Sequence, residues 1–81
     1  MDLVALTEFL VKGIVKQPDM VSAKQFDNTE EVIIIEVLVA KDDMGSVIGR
    51  KGINANAIRT IVQVASYAQE NKPVRINIDS F

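Results

Sequence analysis

The stretch Val47-Ile48-Gly49-Arg50-Lys51-Gly52-Ile53 sets two glycines three apart around two cations, with apolar residues on both sides. It follows a β-branched run at residues 32–39 and precedes a long helical pattern from residue 53 to about residue 70. A chain passing into a long helix through such a loop must turn tightly. Glycine permits the turn and lets another backbone come close, because it carries no Cβ. Arg50 and Lys51 then point outward above the N-terminus of the next helix, which offers unpaired N–H groups and a partial positive charge. These properties fit a phosphodiester backbone.

The residues around the loop read as alternating elements. Residues 2–16 have helical spacing of Leu3, Leu6, Phe9/Leu10 and Ile14, with Asp2 as N-cap and Pro18 as the stop. Residues 20–26 alternate loosely as an outer strand, and Asp27-Asn28-Thr29-Glu30 is a turn signal that makes a hairpin with the next run. Residues 32–39, apolar on nearly both faces, have the character of a central strand. Asp42 or Asp43 is placed to cap a short helix over residues 44–48. The long helix sets Ile53, Ala57/Ile58, Ile61/Val62, Ala65 and Ala68 along one face and Asn54, Asn56, Arg59, Gln63 and Gln69 along the other. Asn71-Lys72-Pro73 ends it, and Val74, Ile76 and Ile78 then alternate with Arg75, Asn77 and Asp79 as a strand with one buried face.

The order is α-β-β-α-α-β. A right-handed crossover would make the last strand parallel to the central one. The expected fold class is therefore α+β, a three-stranded mixed sheet with helices packed on one face, in a single domain over residues 1–81. A chain of this length buries roughly 60–65% of its unfolded surface.

Composition removes most catalytic chemistry. There is no cysteine and no histidine, so thiolate catalysis, disulfides and the commonest general base are all missing. Gly45-Ser46-Val47-Ile48-Gly49-Arg50 fails the P-loop pattern, which needs Gly-Lys-Ser/Thr where this chain has Arg50-Lys51-Gly52. The carboxylates lie scattered over turns and helix ends. The expectation is a protein that is not an enzyme, with no metal, no cofactor and no small-molecule substrate. The longest apolar run is far too short to cross a bilayer and no signal peptide is legible, so a cytoplasmic protein without membrane contact is expected.

The net charge of −2 runs against the usual basic balance of nucleic-acid binders, but its distribution is uneven. Residues 1–40 carry three cations against seven acids, whereas residues 41–60 carry Lys41, Arg50, Lys51 and Arg59 against Asp42 and Asp43. Positive charge collects around the glycine loop.

With this element order and Val47-Ile48-Gly49-Arg50-Lys51-Gly52 between two helices, the chain resembles a KH domain. The extra helix and strand before the core match the type II arrangement, with residues 1–30 preceding a KH core at 31–81. Leu10-Val11-Lys12, Gln17-Pro18-Asp19 and Ala57-Ile58-Arg59-Thr60 are similar to the corresponding stretches of the stand-alone KhpA family of bacteria. Ser46 departs from it, standing where many such loops carry a cation. The resemblance implies an RNA chaperone of the bacterial cytoplasm. It also implies a homodimer, or a heterodimer with a second KH-containing protein, KhpB, and a link to cell elongation and peptidoglycan homeostasis.

On that resemblance Gly49 and Gly52 let the sugar–phosphate backbone lie on the loop, and Arg50 and Lys51 pair with phosphates. Val47, Ile48, Ile53 and Ile58 line an apolar groove for unpaired bases, although Ile58 fits the core equally well. Lys41 and Arg59 are rim cations or plain surface charges. Asn54 and Asn56 either meet base edges or cap locally. The four aromatics, Phe9, Phe26, Tyr67 and Phe81, form no strand-borne stacking platform. Single-stranded RNA, held weakly and with little sequence preference, is the expected partner. The alternative is a non-catalytic dimerisation module that uses the same fold.

Overall fold

Asp2 starts the first helix by accepting from the N–H groups of Val4 and Ala5 at 2.9 and 3.2 Å, the capping role expected of an aspartate there. The computed structural model describes residues 1–26 and 31–81. It places α1 at Leu3–Lys12, β1 at Ser22–Phe26, β2 at Ile33–Val39, α2 at Met44–Ile48, α3 at Ile53–Glu70 and β3 at Val74–Ser80. Short 3₁₀ turns lie at Pro18–Met20, Lys41–Asp43 and Arg50–Gly52. The turn expected at residues 27–30 lies outside the described residues.

The sheet order is β1-β2-β3, with β1 antiparallel and β3 parallel to β2. The register sets Gln25, Ile35 and Ile76 in one row and Ala23, Val37 and Ile78 in the next. These rows face the helices. Ile33, Ile35, Val37 and Val39 are buried with Leu3 and Val11 of α1, Val47 of α2, and Ile58 and Val62 of α3. Each such side chain contributes about 1.5–3 kcal/mol by leaving water.

Three sequence expectations need correction. First, the apolar character of β2 on both faces does not mean burial on both: β2 is the central strand as expected, but Ile34, Glu36 and Leu38 stay partly exposed on the side without helices. Second, α1 ends at Lys12 rather than near residue 16. Ile14 N–H bonds to Val11 O at 3.1 Å, tightening the last turn. The N–H groups of Lys16 and Gln17 then donate to the two carboxylate oxygens of Asp43 at 3.0 and 3.1 Å, which removes donors a longer helix would use. Asp43 does precede α2, but its side chain makes no cap to that helix.

The third correction concerns α3. Ala55, Ile58, Val62 and Ser66 form its buried stripe, while Ile53, Ala57, Ile61 and Ala68 face outward with Val64 and Tyr67. The helix is apolar over a wider arc than its neighbours cover, so simple periodicity chose the wrong centre. Buried Ser66 is satisfied by donating to Lys72 O at 2.7 Å, and Asn71, in the left-handed region, closes the C-terminus through Ser66 O and Tyr67 O.

Asp43, 2% exposed, links the post-α1 segment to the entry of α2 through both carboxylate oxygens. Asp43→Ala leaves two N–H groups without this acceptor and lowers unfolding free energy by about 2–3 kcal/mol. Urea unfolding followed by circular dichroism reads the change; an unaltered midpoint contradicts the assigned role.

Candidate nucleic-acid interface

Gly49 leaves α2 with φ 75° and ψ 176°, a region of backbone space that essentially only glycine occupies. Lys51 (φ 56°, ψ 26°) and Gly52 (φ 78°, ψ 14°) follow in left-handed geometry. Three of the four loop residues thus have positive φ. The reversal carries the chain from the C-terminus of α2 to the N-terminus of α3 in a single 3₁₀ turn, closed by Gly52 N–H to Gly49 O at 3.2 Å. Lys51 bears left-handed strain without glycine's freedom, at the position where a cation is presented to solvent.

Asn54 holds this turn in place. Its Nδ2 donates to Ser46 O at 2.7 Å. A Cβ on Gly49 would lie 2.8 Å from Asn54 Cγ and 2.9 Å from Nδ2. The side chain that binds α2 therefore fills the space glycine leaves open. The sequence reading offered Asn54 to base edges or to local capping. The structure places it in the loop's own lock, a role with no periodic signal because Ser46 and Asn54 are eight residues apart on different elements.

The remaining candidates separate clearly. Arg50 and Lys51 are exposed, as are Ile48 at 39% and Ile53 at 65%, so the loop is two cations framed by two accessible isoleucines. Val47 is fully buried and Ile58 is 5% exposed; both belong to the core, which corrects the groove expectation for Val47 and decides for Ile58 between its two readings. Val47 instead anchors α2, which carries the loop. Lys41 is exposed but sits at the opposite end of α2 from the glycines. Asn56 is exposed near Gly52 and accepts from Arg59 Nη1 at 3.3 Å.

Arg59 lies one and a half turns along α3, pinned by its Nε donating to Ile76 O at 3.3 Å on the outer edge of β3. There it joins Thr60, Gln63, Val64, Tyr67 and Val74 around an open groove of about 430 Å³ between α3 and β3. Gln63 bridges the two elements, donating through Nε2 to Lys72 O and accepting from Val74 N–H through Oε1. The groove's Gln63, Tyr67 and Val74 escaped the sequence reading. The available signal was the i, i+4, i+8 spacing of Arg59, Gln63 and Tyr67, which puts all three on one flank of the helix.

A second concavity of about 280 Å³ lies on the open face of the sheet, among Ser22, Lys24, Phe26, Glu36, Leu38 and Phe81. Glu36 in its wall opposes a polyanion. Neither acid nor acid-rich loop lines the groove beside α3.

Both loop glycines have positive φ, yet only Gly49 combines it with a filled Cβ site; the nearest atom to a Cβ on Gly52 is Asn56 Nδ2 at 3.7 Å. Gly49→Ala is expected to cost about 2–4 kcal/mol and Gly52→Ala about 1 kcal/mol. Chemical denaturation of the two variants measures the difference, and equal costs would refute the Asn54 lock.

Comparison with known proteins bears on this geometry directly. Residues 4–78 match the family model for the KH domain of KhpA and KhpB. RNA-binding protein KhpA of Clostridium acetobutylicum is 42% identical over 73 residues, spanning 90% of this chain and 95% of that protein. RNA-binding protein KhpA of Streptococcus pneumoniae serotype 4 is 43% identical over 70 residues, with 86% and 85% covered. Among solved structures, Aquifex aeolicus Era bound to GDP and aluminium fluoride superposes with a TM-score of 0.70 at 14% identity, covering 98% of this chain and 30% of Era. Era in complex with MgGDPNP and nucleotides of 16S ribosomal RNA gives a TM-score of 0.68 at 15% identity, with 96% and 29% covered. The Era likeness shows a shared fold over about 30% of that protein. The family model and the KhpA relatives establish that the chain belongs to the KhpA/KhpB family of KH-domain RNA-binding proteins, a non-enzymatic family.

Proposed function

We propose that this RNA-binding protein holds single-stranded RNA at Gly49-Arg50-Lys51-Gly52 and acts as a cytoplasmic RNA chaperone. The observation that carries the reading is the pair of exposed cations on a loop of positive-φ residues at the head of an 18-residue helix. Cβ-free Gly49 and Gly52 let a sugar–phosphate backbone approach. Arg50 offers a planar fork to phosphate oxygens and Lys51 a point charge. The partial positive charge of the α3 N-terminus adds to both. Ile48 and Ile53 supply aliphatic surface under unpaired bases. Single strands suit this arrangement, since the deep major groove of an A-form duplex admits no side chains. Arg59 is the next cation along α3, and Lys41 joins only for a strand that continues past α2.

Few cations and a net charge of −2 favour weak, salt-sensitive binding. With Arg50, Lys51 and Arg59 each neutralising a phosphate, log affinity falls with log salt with a slope of about −2. The double change Arg50→Asp/Lys51→Asp is expected to abolish crosslinking to cellular RNA while the circular dichroism spectrum stays unchanged. Crosslinking that survives this change overturns the loop assignment.

Pairing raises the affinity of such weak sites through effective concentration. Ile61 on α3, 46% exposed and set between the exposed Ala57 and Ala68, supports a homodimer or a heterodimer with a KhpB-type protein. Family membership alone supports the further reading that this partnership serves cell elongation and peptidoglycan homeostasis. Ile61→Glu is expected to turn a dimer into a monomer in light scattering at the same concentration. An unchanged mass excludes the α3 stripe as the pairing surface.

A further inference from the structure

We propose that the open face of the sheet pairs with the same face of a second copy, Lys24 of each chain meeting Glu36 of the other. This surface is separate from the glycine loop and from α3, and its assignment rests on neither. The register places three rows on it: Phe26, Ile34 and Arg75; then Lys24, Glu36 and Asn77; then Ser22, Leu38 and Asp79. No helix covers these rows, and Phe26 and Phe81 are 41% and 61% exposed around the concavity of about 280 Å³ on this face. Such a surface, part apolar and part charged, is built like one side of a sheet-on-sheet contact.

The charges indicate what covers it. Lys24 and Glu36 stand opposite each other in the register, side by side on neighbouring strands. They form no ion pair with each other; the pair found among the described residues is Lys12–Glu8 at 2.7 Å. A two-fold axis running between β1 and β2, along the strands, sets β1 of each copy over β2 of the other. Each row then meets itself with its first two residues exchanged. Lys24 faces the second copy's Glu36 while Glu36 faces the second copy's Lys24, and Phe26 exchanges with Ile34 in the same way. This reciprocity is what a two-fold interface requires. Stacked sheets lie about 10 Å apart, a gap that an extended lysine and a glutamate span together. Arg75 and Asp79 belong to β3, outside the overlap, and stay in solvent.

The size of the overlap sets its strength. Two short strands per copy fall well under the roughly 800 Å² per partner of a standard interface, so the association is weak. Salt screens the two ion pairs and weakens it further. The open face points away from the helices, so this contact leaves both the loop and Ile61 free. Where copies also pair through α3, the two interfaces together extend a dimer into a longer chain of copies.

The test is sedimentation equilibrium of the full chain carrying Ile61→Glu, which removes pairing through α3, across the micromolar to millimolar range. Weight-average mass is expected to climb from one chain towards two as concentration rises. Lys24→Glu and Glu36→Lys each set like charges across both contacts, and each is expected to weaken association at least tenfold. An equimolar mixture of these two variants restores it, because opposite charges again meet in both contacts. The double change Lys24→Glu/Glu36→Lys restores it for the same reason. Mixing cannot rescue a variant that has simply failed to fold, so the mixture separates lost pairing from lost structure. A chain that stays monomeric throughout the range overturns the proposal and leaves the face to another occupant. Single reversals that associate as tightly as the parent overturn it too, as does a mixture that associates no better than either variant alone.

Discussion

The place proposed for RNA on this small domain depends on the backbone at Gly49. There the chain leaves α2 in a conformation reserved for glycine, and the volume a Cβ would take is filled by Asn54, which reaches back to Ser46. The lock fixes α2 against the head of α3. Between them Arg50 and Lys51 have no structural duty and stand in solvent, framed by Ile48 and Ile53. The rest of the fold holds this corner steady. Val47 pins α2 into the core, Asp43 ties its entry to the segment after α1, and Gln63 ties α3 to the start of β3.

Charge explains why so acidic a chain belongs to a family of RNA-binding proteins. The acids lie mainly before the loop in sequence, and the described structure places Glu36 on the open sheet face, away from the helices. The loop and the flank of α3 that follows it carry Arg50, Lys51 and Arg59. On the proposed reading a phosphate chain meets these cations one after another, from the loop onto α3. Fixed geometry compensates in part for their small number, since Arg59 is already oriented by Ile76 and Asn56 before any ligand arrives.

The fold was legible because its signals are local and redundant. Asp2 is a capping residue at a helix start, residues 33–39 are a dense β-branched run, and Val74, Ile76 and Ile78 alternate cleanly; all three readings match the structure. The cations and glycines of the loop were legible for the same reason. Misreadings arose where tertiary contacts decide. Asp43 has the look of a helix cap but serves backbone donors more than twenty residues away. The apolar arc of α3 is wider than the core it faces, so periodicity could not tell which stripe is buried. Val47 read as a groove residue and is core, Ile58 lies in the core that was one of its two readings, and Gln63, Tyr67 and Val74 converge only because β3 returns beside α3.

The central claim is that RNA is held on the helix side of the molecule, beginning at the glycine loop. Amide chemical-shift mapping during titration with a single-stranded oligonucleotide tests it most directly. The account predicts the largest shifts at residues 48–54, continuing to Arg59 and the adjoining edge of β3, with Lys24, Glu36 and Leu38 unmoved. Shifts centred on Lys24, Glu36 and Leu38, with residues 48–54 unmoved, would contradict it.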